Sequence, residues 1–185
     1  PLLGYGLRYR YGLFKQAFTD GKQSETPDDW SRFGDPFSLR RYDLRLTIRM
    51  GDLTVVAVPY DMPVIGYGRK SIGTLRLWQT EAPEDISFPL FNAQRYAEAA
   101  ADKNKAEDLC KFLYPNDSGD EGKLMRIRQE YLLSAASVRD ILRGFEKRFG
   151  KAYDKLPELA AIQLNDTHPA MAIPELIRLL EVEGL

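Results

Sequence analysis

From Asp43 to Met50, apolar and polar residues alternate: Leu44, Leu46, Ile48 and Met50 against Asp43, Arg45, Thr47 and Arg49. A period of two marks a strand with one buried face. Gly51-Asp52 follows, a pair suited to a tight hairpin because glycine reaches positive φ. Residues 53–58 (LTVVAV) and 74–78 (TLRLW) are further strands. Between them, 59–73 carries two prolines and three glycines and is expected to be loop, as is the polar stretch 21–36.

Beyond Pro89 the period changes. Residues 92–113 are rich in alanine and charge and lack internal proline or glycine, which predicts a helix capped at Asn92 and stopped by Pro115. Its apolar side is mostly alanine (Ala93, Ala97, Ala100, Ala101), so it suits either solvent or a close helix partner. Residues 120–149 carry Leu124, Ile127, Tyr131, Ala135, Val138, Leu142, Phe145 and Phe149 at steps of three and four. That is the stripe of a core helix, and Gly144 inside it is expected to mark a close helix contact. Last come an apolar strand over 159–164 (LAAIQL), the polar Asn165 to Pro169, and a helix with Pro174 in its first turn and Gly184 as its stop. Strand, loop and helix make half of a βαβ unit and imply a parallel sheet. The fold class is therefore α/β, with a β-rich first half (1–90), two helices joined by a loop (91–150) and a closing strand-loop-helix unit (156–185).

Composition narrows the function classes. A chain of 185 residues is one domain by length and can bury a core. A net charge of -1 gives no electrostatic reason for a nucleic-acid or membrane partner, and no apolar run approaches the ~18 residues of a spanning helix. The single cysteine, Cys110, excludes an internal disulfide and fits a reducing, cytoplasmic compartment. One histidine and one cysteine cannot build the usual zinc sites, so no metal is expected. The chain opens with Pro1-Leu2-Leu3 and closes with Glu183-Gly184-Leu185, and both ends are expected to be cuts within a longer chain.

Ligands of parallel α/β sheets bind beyond the carboxyl ends of the strands. Asn165, Asp166, Thr167 and His168 occupy such a place and offer an amide, a carboxylate, a hydroxyl and an imidazole to a polyhydroxylated ligand. Asp166 or Thr167 could equally cap the following turn. Tyr114 to Asp120 has the chemistry of a plain interhelical turn or of a mobile gate. Tyr5, Tyr9, Tyr11 and Phe14 could stack on sugars or fill a core. Phosphate-binding loop motifs are absent: Tyr9 stands where a dinucleotide fingerprint needs its third glycine.

Several stretches carry a resemblance together: residues 4–16 (GYGLRYRYGLFKQ), Asp28-Asp29-Trp30, 59–67 (PYDMPVIGY), TLRLW, FLYPNDS with 121–131 (EGKLMRIRQEY), and 161–180 (AIQLNDTHPAMAIPELIRLL). In order and spacing they resemble the α-glucan (glycogen, starch or maltodextrin) phosphorylase family over essentially the whole chain. The resemblance implies the N-terminal part of a two-domain, Rossmann-like glycosyltransferase of the GT-B type. Such an enzyme transfers terminal α-1,4-linked glucose to phosphate, giving glucose 1-phosphate. It also implies a pyridoxal 5'-phosphate cofactor whose lysine lies outside this chain, so the isolated chain is expected to be inactive and to hold no complete catalytic set. Asn116 and Asp117 match a gate loop at the active-site cleft, with Ser118 and Gly119 departing from the pattern of the animal enzymes. Arg126, Asp166 and His168 match residues that line or support the cleft. Helix 92–113 matches the tower helix of a homodimer. Arg143 matches one arginine of a nucleotide-effector site, but Gly144 replaces its arginine neighbour, which counts against AMP control. A non-catalytic glucan-binding or dimerisation module is the alternative.

Overall fold

The computed structural model describes residues 2–182. It is a mixed α/β fold: a five-stranded sheet covered on one face by a long helix, with a separate two-stranded hairpin. The strands are β1 (Leu3–Leu7), β2 (Leu13–Thr19), β3 (Lys22–Asp28), β4 (Leu39–Arg40), β5 (Leu46–Met50), β6 (Leu53–Ile65) and β7 (Ile72–Glu81). The main sheet runs β1-β7-β6-β4 with β5 also on β6, and β2 pairs only with β3. The helices are α1 (Phe88–Asn92), α2 (Tyr96–Ala99), α3 (Ala101–Asp108), α4 (Asp120–Phe149), α5 (Leu156–Leu159) and α6 (Ala172–Val182).

The alternating segment forms β5, with Ile48 and Met50 buried and Thr47 and Arg49 exposed. Met50 pairs with Leu53 around Gly51, whose φ of 64° is the positive value that the tight turn requires. Two stretches expected to be loop are strand instead. β6 continues to Ile65 through Pro59 and Pro63. Pro59 is tolerated because its carbonyl accepts the Arg41 N–H at 2.8 Å. Carbonyl and amide of one residue face the same neighbour in an antiparallel strand, so the missing N–H lies off the β7 ladder. β3 replaces the first part of the expected loop at 21–36. Asp20 and Gly21, both at positive φ, close its hairpin, and its exposed residues carry no apolar alternation to read.

The predicted helix over 92–113 is three short helices, and Asn92 ends α1 rather than capping a longer one. Gln94 at φ 63° breaks the run, and α3 stops at Asp108 because Leu109 and Cys110 turn into the core. Ala99 and Ala106 are buried within this chain, whereas Ala93 and Ala97 are exposed.

Helix α4 has the bounds that its periodicity predicts. At 30 residues it is roughly 45 Å long. Only its middle is fully buried, because the sheet spans only that part. Leu132, Ala135 and Ala136 meet Ile48, Val55, Ala57 and Trp78 in the main core, while Leu124, Ile127 and Phe149 at the ends stay exposed. Polar bonds fix the helix along the sheet: Trp78 Nε1 donates to Ser137 Oγ at 3.1 Å, and Arg139 donates to the Thr47 carbonyl at 2.9 Å. A second core of Val138, Leu142, Phe145, Tyr153, Leu156 and Ala172 joins α4 to α6. Gly144 makes no close helix contact: a methyl there meets nothing within 4 Å.

The expected strand over 159–164 is not formed. Ala160 is extended, but the segment after it has no strand beside it among the described residues, and a strand needs a ladder. The parallel pairing of the sheet is instead β1 with β7. Pro174 lies in the first turn of α6 as expected, and Gly184 lies outside the described residues.

Candidate functional site

A cavity of about 180 Å³ opens between the end of β1, the first half of α4 and the turn that precedes α6. Tyr9, Tyr114, Arg126, Glu130 and His168 form its polar wall over an apolar floor of Leu7 and Leu133. Arg126, Gln129, Glu130 and Leu133 recur at steps of three and four, so α4 presents them together. His168 opens a 3-10 turn (His168–Met171) that Ser134 Oγ anchors by a 3.5 Å bond to the Pro169 carbonyl.

The charged groups converge on Arg126. Its Nε lies 3.2 Å from Glu130 Oε1, and its Nη2 lies 3.0 Å from His168 Nδ1 and 3.3 Å from Nε2. His168 is also 3.4 Å from Glu130 and 3.6 Å from Asp166. The Arg126 guanidinium sits 5.5 Å from the centre of the Tyr114 ring, a cation–π contact. Asp166 adopts a positive φ of 66°, rare for a non-glycine residue. The Thr167 backbone N–H and hydroxyl, and then the His168 imidazole, hold its carboxylate below the usual range. Burial pushes the Tyr9 phenol up to about 12, with neighbouring Cys110 adding to it, so Tyr9 stays protonated and can donate a hydrogen bond. Gln129 is buried; its Nε2 donates to the carbonyls of Leu109 and Phe112 at 3.0 and 2.9 Å, and its Oε1 has no partner among the described residues.

The sequence-predicted residues divide. Arg126, Asp166 and His168 come together. Asn116 and Asp117 do not touch that cluster; they lie exposed on the loop that leaves the cavity wall at Tyr114. Asn116 Oδ1 there accepts the Ser118 N–H at 3.0 Å. Arg143 stands apart, 17 residues further along α4 or roughly 25 Å from Arg126, bonded to Asp140 and, at 3.1 Å, to the Leu44 carbonyl. Glu130 and Gln129 went unnoticed in the sequence, and Tyr9 was marked there only as one of four aromatics that could stack on sugars or fill a core. For Glu130 a signal existed, since a carboxylate four residues after an arginine on a helix is its neighbour. A larger groove of about 370 Å³ between the β5–β6 turn and α4 is mainly apolar and holds none of these residues.

Family comparison matches residues 1–185 to the carbohydrate phosphorylases. The chain belongs to the carbohydrate phosphorylase family. It is 42% identical over 204 residues to the liver form of glycogen phosphorylase from Homo sapiens, covering 98% of this chain and 24% of that protein. It is 41% identical over 198 residues to the brain form from Mus musculus, covering 96% and 24%. The α-1,4 glucan phosphorylase L isozyme, chloroplastic/amyloplastic, of Ipomoea batatas is 40% identical over 204 residues, covering 100% and 21%. The chain thus spans about a quarter of the length of these phosphorylases. No helix among the described residues is long and apolar enough to cross a membrane.

Proposed function

We propose that this chain forms one wall of the glucan cleft of an α-1,4-glucan phosphorylase, which moves the terminal glucose of glycogen or a related glucan onto phosphate as glucose 1-phosphate. The observation that carries this reading is the convergence of Arg126 and His168, 42 residues apart in sequence, on one cavity in a phosphorylase-family chain. A sugar hydroxyl both donates and accepts, and the wall offers both. Arg126 and the Tyr9 phenol donate, and the Glu130 carboxylate accepts. An imidazole that accepts from Arg126 through one nitrogen keeps a donor on the other. Asn116 and Asp117, on the adjoining loop, are the gate. Asp166 orients His168.

Pyridoxal 5'-phosphate, implied for the parent enzyme, attaches through a lysine. Among the described residues no lysine is buried and none lines the cavity, so the residues present do not fit a site for that group. In a protein of the relatives' length, the apolar 159–164 segment pairs as a strand of a Rossmann-like, GT-B type sheet, since Ile162 is left exposed and unpaired here. The unpaired, buried Cys110 supports a reducing, cytoplasmic location. The intact protein, incubated with glycogen and phosphate, is expected to release glucose 1-phosphate; release that does not depend on phosphate, or none at all, overturns the assignment and leaves a glucan-binding module.

Homodimerisation through residues 92–113 is the second part of the proposal. Ala93, Ala97 and Tyr96 are exposed there, beside exposed Phe88 and Phe91; Phe91 stacks on Phe88 and meets Tyr96 edge-on, which leaves a small and aromatic surface open. Ala97→Glu is expected to convert a sedimenting dimer to monomer, and an unchanged dimer would place the interface elsewhere.

A further inference from the structure

Among the helical positions of α4, one lacks a side chain for a reason that the helix does not supply. Gly122 is the third residue of α4. A methyl built on it would overlap the carbonyl oxygen of Asn116, stand 2.7 Å from that carbonyl carbon and 2.9 Å from Cα of Asp117. All three are backbone atoms, which cannot swing aside as a side-chain tip can. The C–H bond of Gly122 that replaces the side chain therefore points at the Asn116 carbonyl, the geometry of a weak Cα–H···O contact. The loop is otherwise lightly held. Asn116 Oδ1 accepts the Ser118 N–H, no side chain caps the start of α4, and Tyr114 enters the loop at a positive φ of 54°. Gly144, the other interior glycine of the same helix, meets nothing within 4 Å. Helix propensity thus treats the two glycines alike, and only Gly122 has a neighbour that forbids a side chain.

We propose that Gly122 is a positioning residue: its missing side chain is the seat on which the 116–118 loop rests, and it sets where Asn116 and Asp117 stand at the mouth of the cavity. This rests on the reading of that loop as part of the glucan cleft. Gly122→Ala forces the loop backbone off the helix. Neither hydrophobic core includes residues 114–122, so the fold survives the change.

The test compares Gly122→Ala with Gly144→Ala in the intact enzyme, by hydrogen exchange and by kinetics with glycogen and phosphate. Gly122→Ala is expected to speed exchange of the Ser118 amide roughly tenfold, as expected for one lost hydrogen bond. It should also lower kcat for glucose 1-phosphate release about tenfold with little change in KM, because displaced Asn116 and Asp117 lose the reacting sugar rather than the rest of the glucan. Gly144→Ala should leave the Ser118 amide and both constants unchanged. Unaltered Ser118 exchange in Gly122→Ala overturns the seat, as does an equal change in Gly144→Ala. Faster exchange with unaltered kinetics keeps the seat and overturns instead the placement of Asn116 and Asp117 in the cleft.

Discussion

Two arginine–carboxylate clusters hang from α4, roughly four turns apart, and they are built to opposite ends. At Asp140, Arg76 donates at 2.5 Å while also gripping Asp61 twice at 2.7 Å, and the Tyr5 hydroxyl donates to the same Asp140 at 2.8 Å. The Arg76 and Asp140 side chains are only 10% and 6% exposed. At Arg126 the separations to Glu130 and His168 run from 3.0 to 3.3 Å, His168 is 45% exposed and Asp166 is 62% exposed. The first cluster uses its hydrogen-bonding capacity internally and ties α4 to β1, β6 and β7. The second leaves donors and acceptors facing a cavity. Close packing and full pairing make a pin; looser geometry with spare capacity makes a place for a ligand.

The sharpest way to break the comparison is to remove the buried anion. Asp140→Ala strands Arg76 without one of its carboxylates and is expected to cost about 3–5 kcal/mol of folding stability, the usual loss when one partner of a buried pair is removed. Denaturant unfolding measures it. A cost below that of an exposed pair would mean that the two clusters do not differ in kind.

The open cluster should respond in the opposite currency. Arg126→Met and His168→Ala are each expected to lower kcat/KM of the intact enzyme about ten- to a hundredfold, as each removes a hydrogen bond in a desolvated site. Stability should change by less than about 1 kcal/mol. Unchanged kinetics with a lowered melting temperature would recast the cluster as a second pin.

The smallest effect lies between them, at Glu175 on α6. Burial would raise its pKa, but the Arg178 bonds at 2.7 and 2.8 Å, with Arg139 and Tyr131, leave it lowered. A folded-state pKa below the unfolded one contributes stability at neutral pH that is lost as pH falls through the carboxylate range. Unfolding free energy should therefore decline as pH falls below about 5. Glu175→Gln should flatten that decline while costing less at neutral pH than Asp140→Ala. An equally steep decline in the variant would assign it to other carboxylates.

Local pattern made much of this fold legible. The 120–149 helix emerged at its observed ends because thirty residues repeat one apolar stripe. β5 and its two-residue turn emerged because alternation and a glycine are local facts. Prolines misled at β6, where the direction of a missing N–H matters more than its absence. The alanine-rich run misled at 92–113, where Gln94 takes a positive φ that no pattern announces.

For the site, the family motifs marked Arg126, Asp166 and His168 one by one. Their union required α4 to carry Arg126 past the turn that holds His168, and that placement also enlisted Glu130, Tyr9 and Gln129. Asn116 and Asp117 were equally visible as a loop, yet their distance from the cluster is set by the contact with Gly122. Periodicity and turn chemistry act through neighbours a few residues away, so the chain alone determined the long helix over 120–149 and the tight turn at Gly51-Asp52. Strand 159–164 failed to form because pairing needs a second strand, and the two arginine clusters diverged because burial is conferred by whatever packs on top. Only the tertiary structure decided those, since desolvation and ladder bonding are properties of surroundings and not of residues.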